Sequence, residues 1–276
     1  MATFINVEDY QVEGEKSSLY WGFGIVGFFL VFMTASSVGI LAFLIVAYTA
    51  ATVWIKQSQY LGTAAKVSEK QFPKIYAIAK EAADRLCMPL PTVFIRQDPT
   101  LNASAIGFLG KKSVVLHSAT VEAMDENELQ QIIGHELSHI KCGHTNIGVL
   151  TNSSQGISVP FISQLLSFIF LFWSRKAEYT CDRGGLLACR DLKGAIASIC
   201  KIAVGPSLFQ QMDIDDFLNQ KMELDGNDVA KLSESLATHP YLVKRLHALQ
   251  EFHESNKYKL LTGTGSSSFQ EDLMRF

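Results

Sequence analysis

His135-Glu136-Leu137-Ser138-His139 carries the strongest pattern in this chain. Two histidines four residues apart lie about 40° apart around an α-helix, so both imidazoles can bind one metal ion. The carboxylate between them then stands beside that ion, in the position of a general base. If the segment is helical, the pattern therefore predicts the site of a zinc-dependent hydrolase.

The residues around this HELSH motif predict a helix independently. Asp125 and, three residues later, Glu128 form a capping-box pattern with Asp125 at the N-cap, and Gly143 supplies a C-terminal stop. Apolar residues recur at helical spacing between these ends, at Leu129, Ile132, Ile133, Leu137 and Ile140. We therefore expect the two histidines on a helix of about four turns with one buried face.

A catalytic zinc site uses three protein ligands and keeps a fourth position for water. A third histidine in the nearby downstream register would require glycine at position 142 and histidine at position 145, but the chain has Cys142 and Thr145. No Asp or Glu occurs from position 140 to 177, so the first downstream carboxylate is Glu178, followed one helical turn later by Asp182. The sequence therefore predicts that Glu178 completes the site.

Four motifs in this order resemble the HtpX-like peptidases, a family of membrane zinc metalloproteases that also includes the CAAX prenyl proteases. They are the HELSH motif, the frame Glu178-Tyr179-Thr180-Cys181-Asp182, the pair Asn102-Ala103, and the late His239-Pro240 with Arg245. The likeness implies an α+β, mainly helical fold of the zincin-like, gluzincin type. It also implies one Zn²⁺ per chain, bound by His135, His139 and Glu178, with Glu136 as the general base.

The same resemblance implies roles for the other matching residues. Asp182 and Arg245 would hold the metal ligands in place without binding the metal themselves. His239 would stabilise the transition state, with Tyr179 and Arg245 as the alternative donors. Asn102 and Ala103 would belong to an edge strand that binds the substrate as an added strand.

An apolar segment precedes this region. No charged residue occurs between Lys16 and Lys56, and residues 20–55 exceed the length of apolar sequence that a spanning helix needs. One helix of about 36 residues would be about 54 Å long, against a hydrocarbon core of about 30 Å. We therefore expect a transmembrane anchor, as a helical hairpin turning near residues 34–39 or as one long helix.

The remaining boundaries follow from composition. Residues 1–19 form an acidic N-terminal segment, 56–261 the protease domain and 262–276 a flexible tail. Residues 159–173 form a second apolar stretch of about 15 residues that predicts a buried or interfacial helix, with a bilayer crossing left open.

Helices are also expected over 71–86, 194–203, 207–219 and 241–252, and a small antiparallel sheet over 93–95, 103–108 and 113–117. His144 is predicted to be structural, with a contact to a metal ligand left open.

The location follows from charge and cysteine content. Lysines at positions 56, 66, 70 and 74 follow the anchor, which predicts a cytoplasmic catalytic domain. Five cysteines without paired spacing agree with a reducing compartment. The resemblance implies a bacterial inner or plasma membrane.

These observations together predict a membrane-anchored zinc endopeptidase that acts on protein or peptide substrates beside membrane lipid, in quality control of membrane or misfolded proteins. A net charge of −3 gives no sign of a nucleic-acid surface. Two alternatives stay open: a CAAX-type processing protease, and a non-catalytic, membrane-tethered binding module on the same fold. The oligomeric state does not follow from the sequence.

Overall fold

The computed structural model describes residues 5–34, 44, 47–48, 51, 54–55, 58–59, 62–107, 112–151, 168–235, 237 and 239–264. As predicted, helices dominate and one small sheet accompanies them. The helices before the second apolar stretch are α1 (Glu15–Thr34), α2 (Pro73–Arg85), α3 (Ser118–Ala123), α4 (Glu126–Lys141) and α5 (His144–Thr151). Those after it are α6 (Leu171–Cys189), α7 (Leu192–Val204), α8 (Pro206–Phe209), α9 (Ile214–Asp225), α10 (Asp228–Ser235), α11 (Leu242–Glu254) and α12 (Asn256–Thr262).

The HELSH motif lies on α4, whose boundaries agree with the capping prediction. The Asp125 side chain accepts a hydrogen bond from the Glu128 backbone N–H at 2.9 Å, and the Glu128 side chain accepts one from the Asp125 N–H at 2.8 Å. Gly143 then adopts a φ of 79°, which glycine reaches without steric cost. The local sequence therefore determines where this helix begins and ends.

The sheet contains β1 (Ala65–Lys66), β2 (Thr92–Arg96), β3 (Ala103–Gly107) and β4 (Lys112–His117), in the spatial order β1-β2-β4-β3. β1 pairs antiparallel with β2, and β3 pairs antiparallel with β4, but β2 and β4 are parallel. The predicted antiparallel sheet is therefore wrong, because the sheet is mixed. β4 carries Val114, Val115 and Leu116, all at most 1% exposed, and burial of this apolar strand favours a central position beside β2.

Three glycines let α4 and α6 approach closely. A Cβ atom at Gly134 would contact Ala188, and one at Gly185 would contact the Gln131 side chain. A Cβ atom at Gly184 would overlap the side chain of Ser138. Since each glycine leaves room for the facing helix, the residues of α6 can reach the histidines of α4.

The acidic N-terminal segment packs into the same core as the protease domain. Ile5 is 2% exposed and Tyr10 is fully buried, and both belong to the hydrophobic core that α4 and α6 form. The Lys141 ammonium, at the end of α4, donates hydrogen bonds to the carbonyls of Ile5 and Leu86. This segment is therefore fixed beside the HELSH helix.

In the described residues, no helix is both long and apolar enough to cross a membrane. α1 covers the first part of the predicted anchor, and the predicted hairpin turn falls on residues 35–39, outside the described residues. Residues 159–167 of the second apolar stretch and residues 265–276 of the predicted tail also lie outside them. The helices predicted over 71–86, 194–203 and 241–252 agree with α2, α7 and α11, and the one over 207–219 is divided between α8 and α9.

Candidate active site

His135, His139 and Glu178 face one another with the spacing of a tetrahedral metal site. The Nε2 atoms of His135 and His139 are 3.2 Å apart. The Glu178 carboxylate lies 3.7 Å from Nε2 of His135 and 3.5 Å from Nε2 of His139. Zinc with bonds of 2.0–2.1 Å would require ligand atoms about 3.3 Å apart at the corners of a tetrahedron. The donor set therefore fits Zn²⁺.

His135 contacts a carboxylate through Nδ1, and a guanidinium binds the same carboxylate. Nδ1 of His135 lies 3.1 Å from Asp182 Oδ1. The Arg245 guanidinium donates two hydrogen bonds to the same carboxylate, at 2.8 and 2.6 Å. Burial raises the pKa of Asp182, but Arg245 outweighs this and the pKa lies below its ordinary value. The ionised carboxylate therefore accepts a hydrogen bond from Nδ1–H of His135, and this bond directs Nε2 of the ring towards Glu178.

His139 contacts a further histidine, His144, which in turn contacts a glutamate that is distant in the sequence, Glu15. Nδ1 of His139 lies 3.2 Å from Nδ1 of His144, and the His144 ring donates from Nε2 to Glu15 Oε1 at 2.8 Å. Both outer residues are buried, at 4% and 2% exposure. The sequence analysis left a contact from His144 open and did not single out Glu15. The only local signal was the position of this carboxylate, next to Lys16 and just before the uncharged apolar stretch.

Glu178 is surrounded by cationic groups. Nδ1 of His239 and Nη1 of Arg245 each lie 3.4 Å from its Oε2 atom. Burial raises the pKa of Glu178, but the hydrogen bonds from His139 and His239 and the charge of Arg245 hold it well below its ordinary value. The Glu178 carboxylate is therefore negatively charged at neutral pH, and the exposed His239 borders the site.

Cys181 offers a different third donor. Its thiol lies within 4.8 Å of ring nitrogens of His135 and His139, and so completes another possible metal-binding trio. The thiol also lies 3.4 Å from Nδ1 of His144, and burial raises its pKa well above the ordinary value, which disfavours the thiolate that binds metals. Because Glu178 is ionised and lies close to both Nε2 atoms, it fits the metal better.

Glu136 lies between the two histidines on α4 and is 9% exposed. Burial lowers the pKa of His139, but the hydrogen bond to Glu178 and the negative charges of Glu178 and Glu136 raise it above its ordinary value. The negative charge of Glu136 therefore acts on His139, which agrees with the general-base position that the sequence predicts for it.

The predicted substrate strand is an edge strand beside α4. β3 pairs only with β4 in the described sheet, and it also contacts the HELSH helix. Ala103 is the first residue of β3. The Asn102 side chain accepts a hydrogen bond from the Ala103 backbone N–H at 2.9 Å, and its own backbone N–H donates to Thr120 Oγ1 at 2.7 Å. Asn102 therefore fixes the start of this strand.

Comparison with known proteins places most of the chain in one protein family. The model of Peptidase family M48 matches residues 69–158 and 151–253. A plastoglobule-localized metallopeptidase 48 of Arabidopsis thaliana chloroplasts is 33% identical, over 73% of this chain and 63% of its own length. The chain therefore spans less than two thirds of that relative.

Two further matches are more distant in sequence. A Protease HtpX homolog of Streptococcus pyogenes is 26% identical, over 78% of this chain and 86% of its own length. A crystal structure of S. mikatae Ste24p matches with a TM-score of 0.48 and 18% identity, over 85% of this chain and 62% of that one. The family match covers most of the chain and confirms the predicted resemblance. The chain therefore belongs to peptidase family M48.

Proposed function

We propose that this protein is a membrane-anchored zinc endopeptidase that hydrolyses peptide bonds in protein substrates. The observation that carries the proposal is the position of the Glu178 carboxylate, 3.5 and 3.7 Å from the paired Nε2 atoms of His139 and His135. These three residues would hold one zinc ion per chain. When bound, zinc would polarise the peptide carbonyl and lower the pKa of water towards neutrality.

The side chains around this site would carry the proton transfers. The Glu136 carboxylate would accept a proton from the attacking water and return it to the leaving amide nitrogen. His239 would donate a hydrogen bond to the developing oxyanion. The hydrogen bond to Glu178 raises the pKa of His239 above its ordinary value, which favours the protonated, donating form near neutral pH. Loss of one such donor typically costs about 3 kcal/mol of transition-state stabilisation.

The free edge of β3 would hold the substrate in an extended conformation. Because β3 contacts α4, a strand added at its outer edge would run close to the HELSH helix. Backbone hydrogen bonds to Ala103–Gly107 would then supply affinity that depends little on substrate sequence. Such recognition suits a peptidase that acts on many unfolded segments, and we propose quality control of membrane or misfolded proteins as its role.

Exposed apolar side chains support the membrane anchor. On α1 these include Tyr20, Trp21, Phe28 and Val31, which are 68–75% exposed. An apolar surface of this size on a helix needs a lipid or protein environment to cover it. The lysines that follow the apolar stretch support a cytoplasmic catalytic domain.

Substitutions on α4 and α6 test the proposal directly. In the purified full chain, Glu136→Gln should abolish peptide-bond cleavage while zinc analysis still finds about one ion per chain. Glu178→Ala should lose both the zinc and the activity, because only two protein ligands remain. Glu126→Gln is the matched control, since this glutamate is exposed on the first turn of the same helix and pairs with Lys74.

Two results would contradict the proposal. Cleavage by a clean Glu136→Gln preparation would remove Glu136 as the base, and full zinc occupancy in Glu178→Ala would remove Glu178 as the ligand. Proteins that remain bound to the Glu136→Gln variant would identify the substrates. Capture of soluble folded proteins alone would contradict the proposed quality-control role.

A further inference from the structure

The polar groups behind His139 form a continuous chain that reaches the N-terminal segment. His139 contacts His144 through their Nδ1 atoms at 3.2 Å, and Nε2 of His144 contacts Glu15 at 2.8 Å. Glu15 is the first residue of α1 and lies 129 positions before His144. These hydrogen bonds therefore join a residue of the HELSH helix to the first residue of α1, the helix that continues into the predicted anchor.

Glu15 is buried and fully engaged by hydrogen bonds. Its Oε1 atom also accepts from Gln11 Nε2 at 2.9 Å, and its Oε2 atom accepts from the hydroxyl of Thr180 on α6. Burial raises the pKa of Glu15, but the hydrogen bond and charge of His144 and the other donors hold it below its ordinary value. Glu15 therefore carries a negative charge inside the protein, next to a ring that is one hydrogen bond away from His139.

The hydrogen-bond pattern fixes the positions of the protons. The Glu15 carboxylate can only accept, so His144 donates from Nε2. Donation from Nε2 leaves the lone pair of the other nitrogen, Nδ1, facing Nδ1 of His139 at 3.2 Å. With zinc bound, His139 would be neutral. Its Nδ1–H can then donate to that lone pair at 3.2 Å, a shorter distance than the 3.4 Å from the Cys181 thiol, and its Nε2 lone pair is directed towards Glu178. This is the tautomer that a metal ligand needs.

Packing also fixes the orientation of the His144 ring. The ring of Trp173 lies against it at a centroid distance of 5.5 Å and an interplanar angle of 89°. Val12, three residues before Glu15, donates its backbone N–H to Thr180 Oγ1 at 3.0 Å. Contacts within the protein therefore hold both the carboxylate and the ring in place.

We propose that Glu15, acting through His144, is a positioning residue that fixes the orientation and the tautomer of His139 for metal binding. The inference rests on the proposed function, because it takes His139 to be a zinc ligand. It makes the N-terminal segment a part of the metal site.

The test compares zinc affinity with folding stability in the purified full chain. Glu15→Ala removes the acceptor, and Glu15→Gln keeps an oxygen acceptor but removes the charge. Zinc dissociation constants would be measured by chelator competition, the geometry of the site by the visible absorption of the Co²⁺-substituted protein, and stability by the melting temperature of the metal-free protein. Glu15→Ala should weaken zinc binding on the order of 10-fold and shift the Co²⁺ bands, with a smaller loss in Glu15→Gln.

Two controls separate positioning from packing. Ile5→Ala loosens the same buried segment without a change at Glu15, so it should lower the melting temperature and leave the zinc dissociation constant unchanged. Glu8→Gln removes an exposed carboxylate that pairs with Lys16 and should change neither.

Each result decides between the alternatives. The inference is overturned if the Glu15 variants bind zinc as tightly as the wild type, or if Ile5→Ala weakens zinc binding as much as Glu15→Ala does. Failure of the wild type itself to bind zinc would instead refute the proposed function, and the inference with it.

Discussion

The two histidines of the HELSH helix have different hydrogen-bond partners at Nδ1. His135 contacts the Asp182 carboxylate directly, and Arg245 neutralises that carboxylate. His139 contacts the neutral ring of His144, and the carboxylate of Glu15 lies one residue further away. A directly bonded carboxylate increases the basicity of a ligand more than a neutral ring does. We therefore expect the Asp182 side to contribute more to metal affinity.

The carboxylates that support the two histidines, Asp182 and Glu15, also come from different parts of the chain. Asp182 lies on α6, one turn after Glu178, so the packing of α6 against α4 delivers both residues together. Glu15 comes from the N-terminal segment, which has to pack onto the domain before the support of His139 is complete. The contact between Asp182 and His135 therefore forms when α6 packs against α4. The contact between Glu15 and His144 also requires the N-terminal segment to pack onto the domain.

Removal of Asp182 should have the largest effect. Asp182→Ala removes a buried carboxylate and leaves the Arg245 guanidinium, which is 17% exposed, without its two-point partner, so the free energy of unfolding should fall by about 3 kcal/mol. Zinc affinity should fall by about 10- to 100-fold, because His135 loses its acceptor. Denaturant unfolding and chelator competition would measure the two effects.

Asp84→Ala is the control, because its i,i+4 pair with Lys80 is exposed and should contribute only about 0.3–0.5 kcal/mol. Equal losses in Asp182→Ala and Glu15→Ala zinc affinity would contradict the expected order of the two supports.

A smaller effect is expected where α4 and α6 touch. In Gly184→Ala the new methyl group overlaps Ser138, so the helices must separate or distort, which typically costs about 1–3 kcal/mol. Zinc affinity should fall as well, because Glu178 and Asp182 are carried on the displaced helix.

Gly24→Ala on α1 is the matched control, since no described atom lies within 4 Å of its new methyl group. That substitution should preserve the melting temperature or raise it slightly through helix propensity. A Gly184→Ala protein that melts and binds zinc like the control would show that close contact of the helices is not required.

The smallest effect concerns protons at the His139 side of the site. The pKa of His139 is raised in the metal-free protein, so zinc must displace a proton from this ring to bind near neutral pH. Apparent zinc affinity should fall by about tenfold for each pH unit below that pKa and become constant above it. In the metal-free protein, the stability that this proton contributes is present below the unfolded pKa of about 6.5 and is lost as the pH rises through the folded pKa.

Calorimetry in buffers of different ionisation enthalpy would count the protons that are released on zinc addition. Release of none near neutral pH would show that the ring is already neutral in the metal-free protein.

Local patterns were sufficient to predict the HELSH helix and to single out Glu178 as the candidate third ligand. The capping box and the apolar spacing gave the bounds of α4, and the absence of nearer acidic residues pointed to Glu178. The mixed sheet could not be obtained in this way. Alternation of apolar residues marks strands, but the parallel pairing of β2 with β4 depends on which strand the tertiary core buries.

The sequence by itself determined the HELSH helix, the acidic residues that follow it and the family to which the chain belongs. These features depend on spacing and capping within short segments, which fix helical faces before any tertiary contact forms. The tertiary structure alone decided that His144 bridges His139 to Glu15 and that Arg245 faces Asp182. The contacts of Glu15 and Arg245 span 129 and 63 residues, and no periodicity connects positions so far apart. They form because buried charges need partners, and packing determines which partners are within reach.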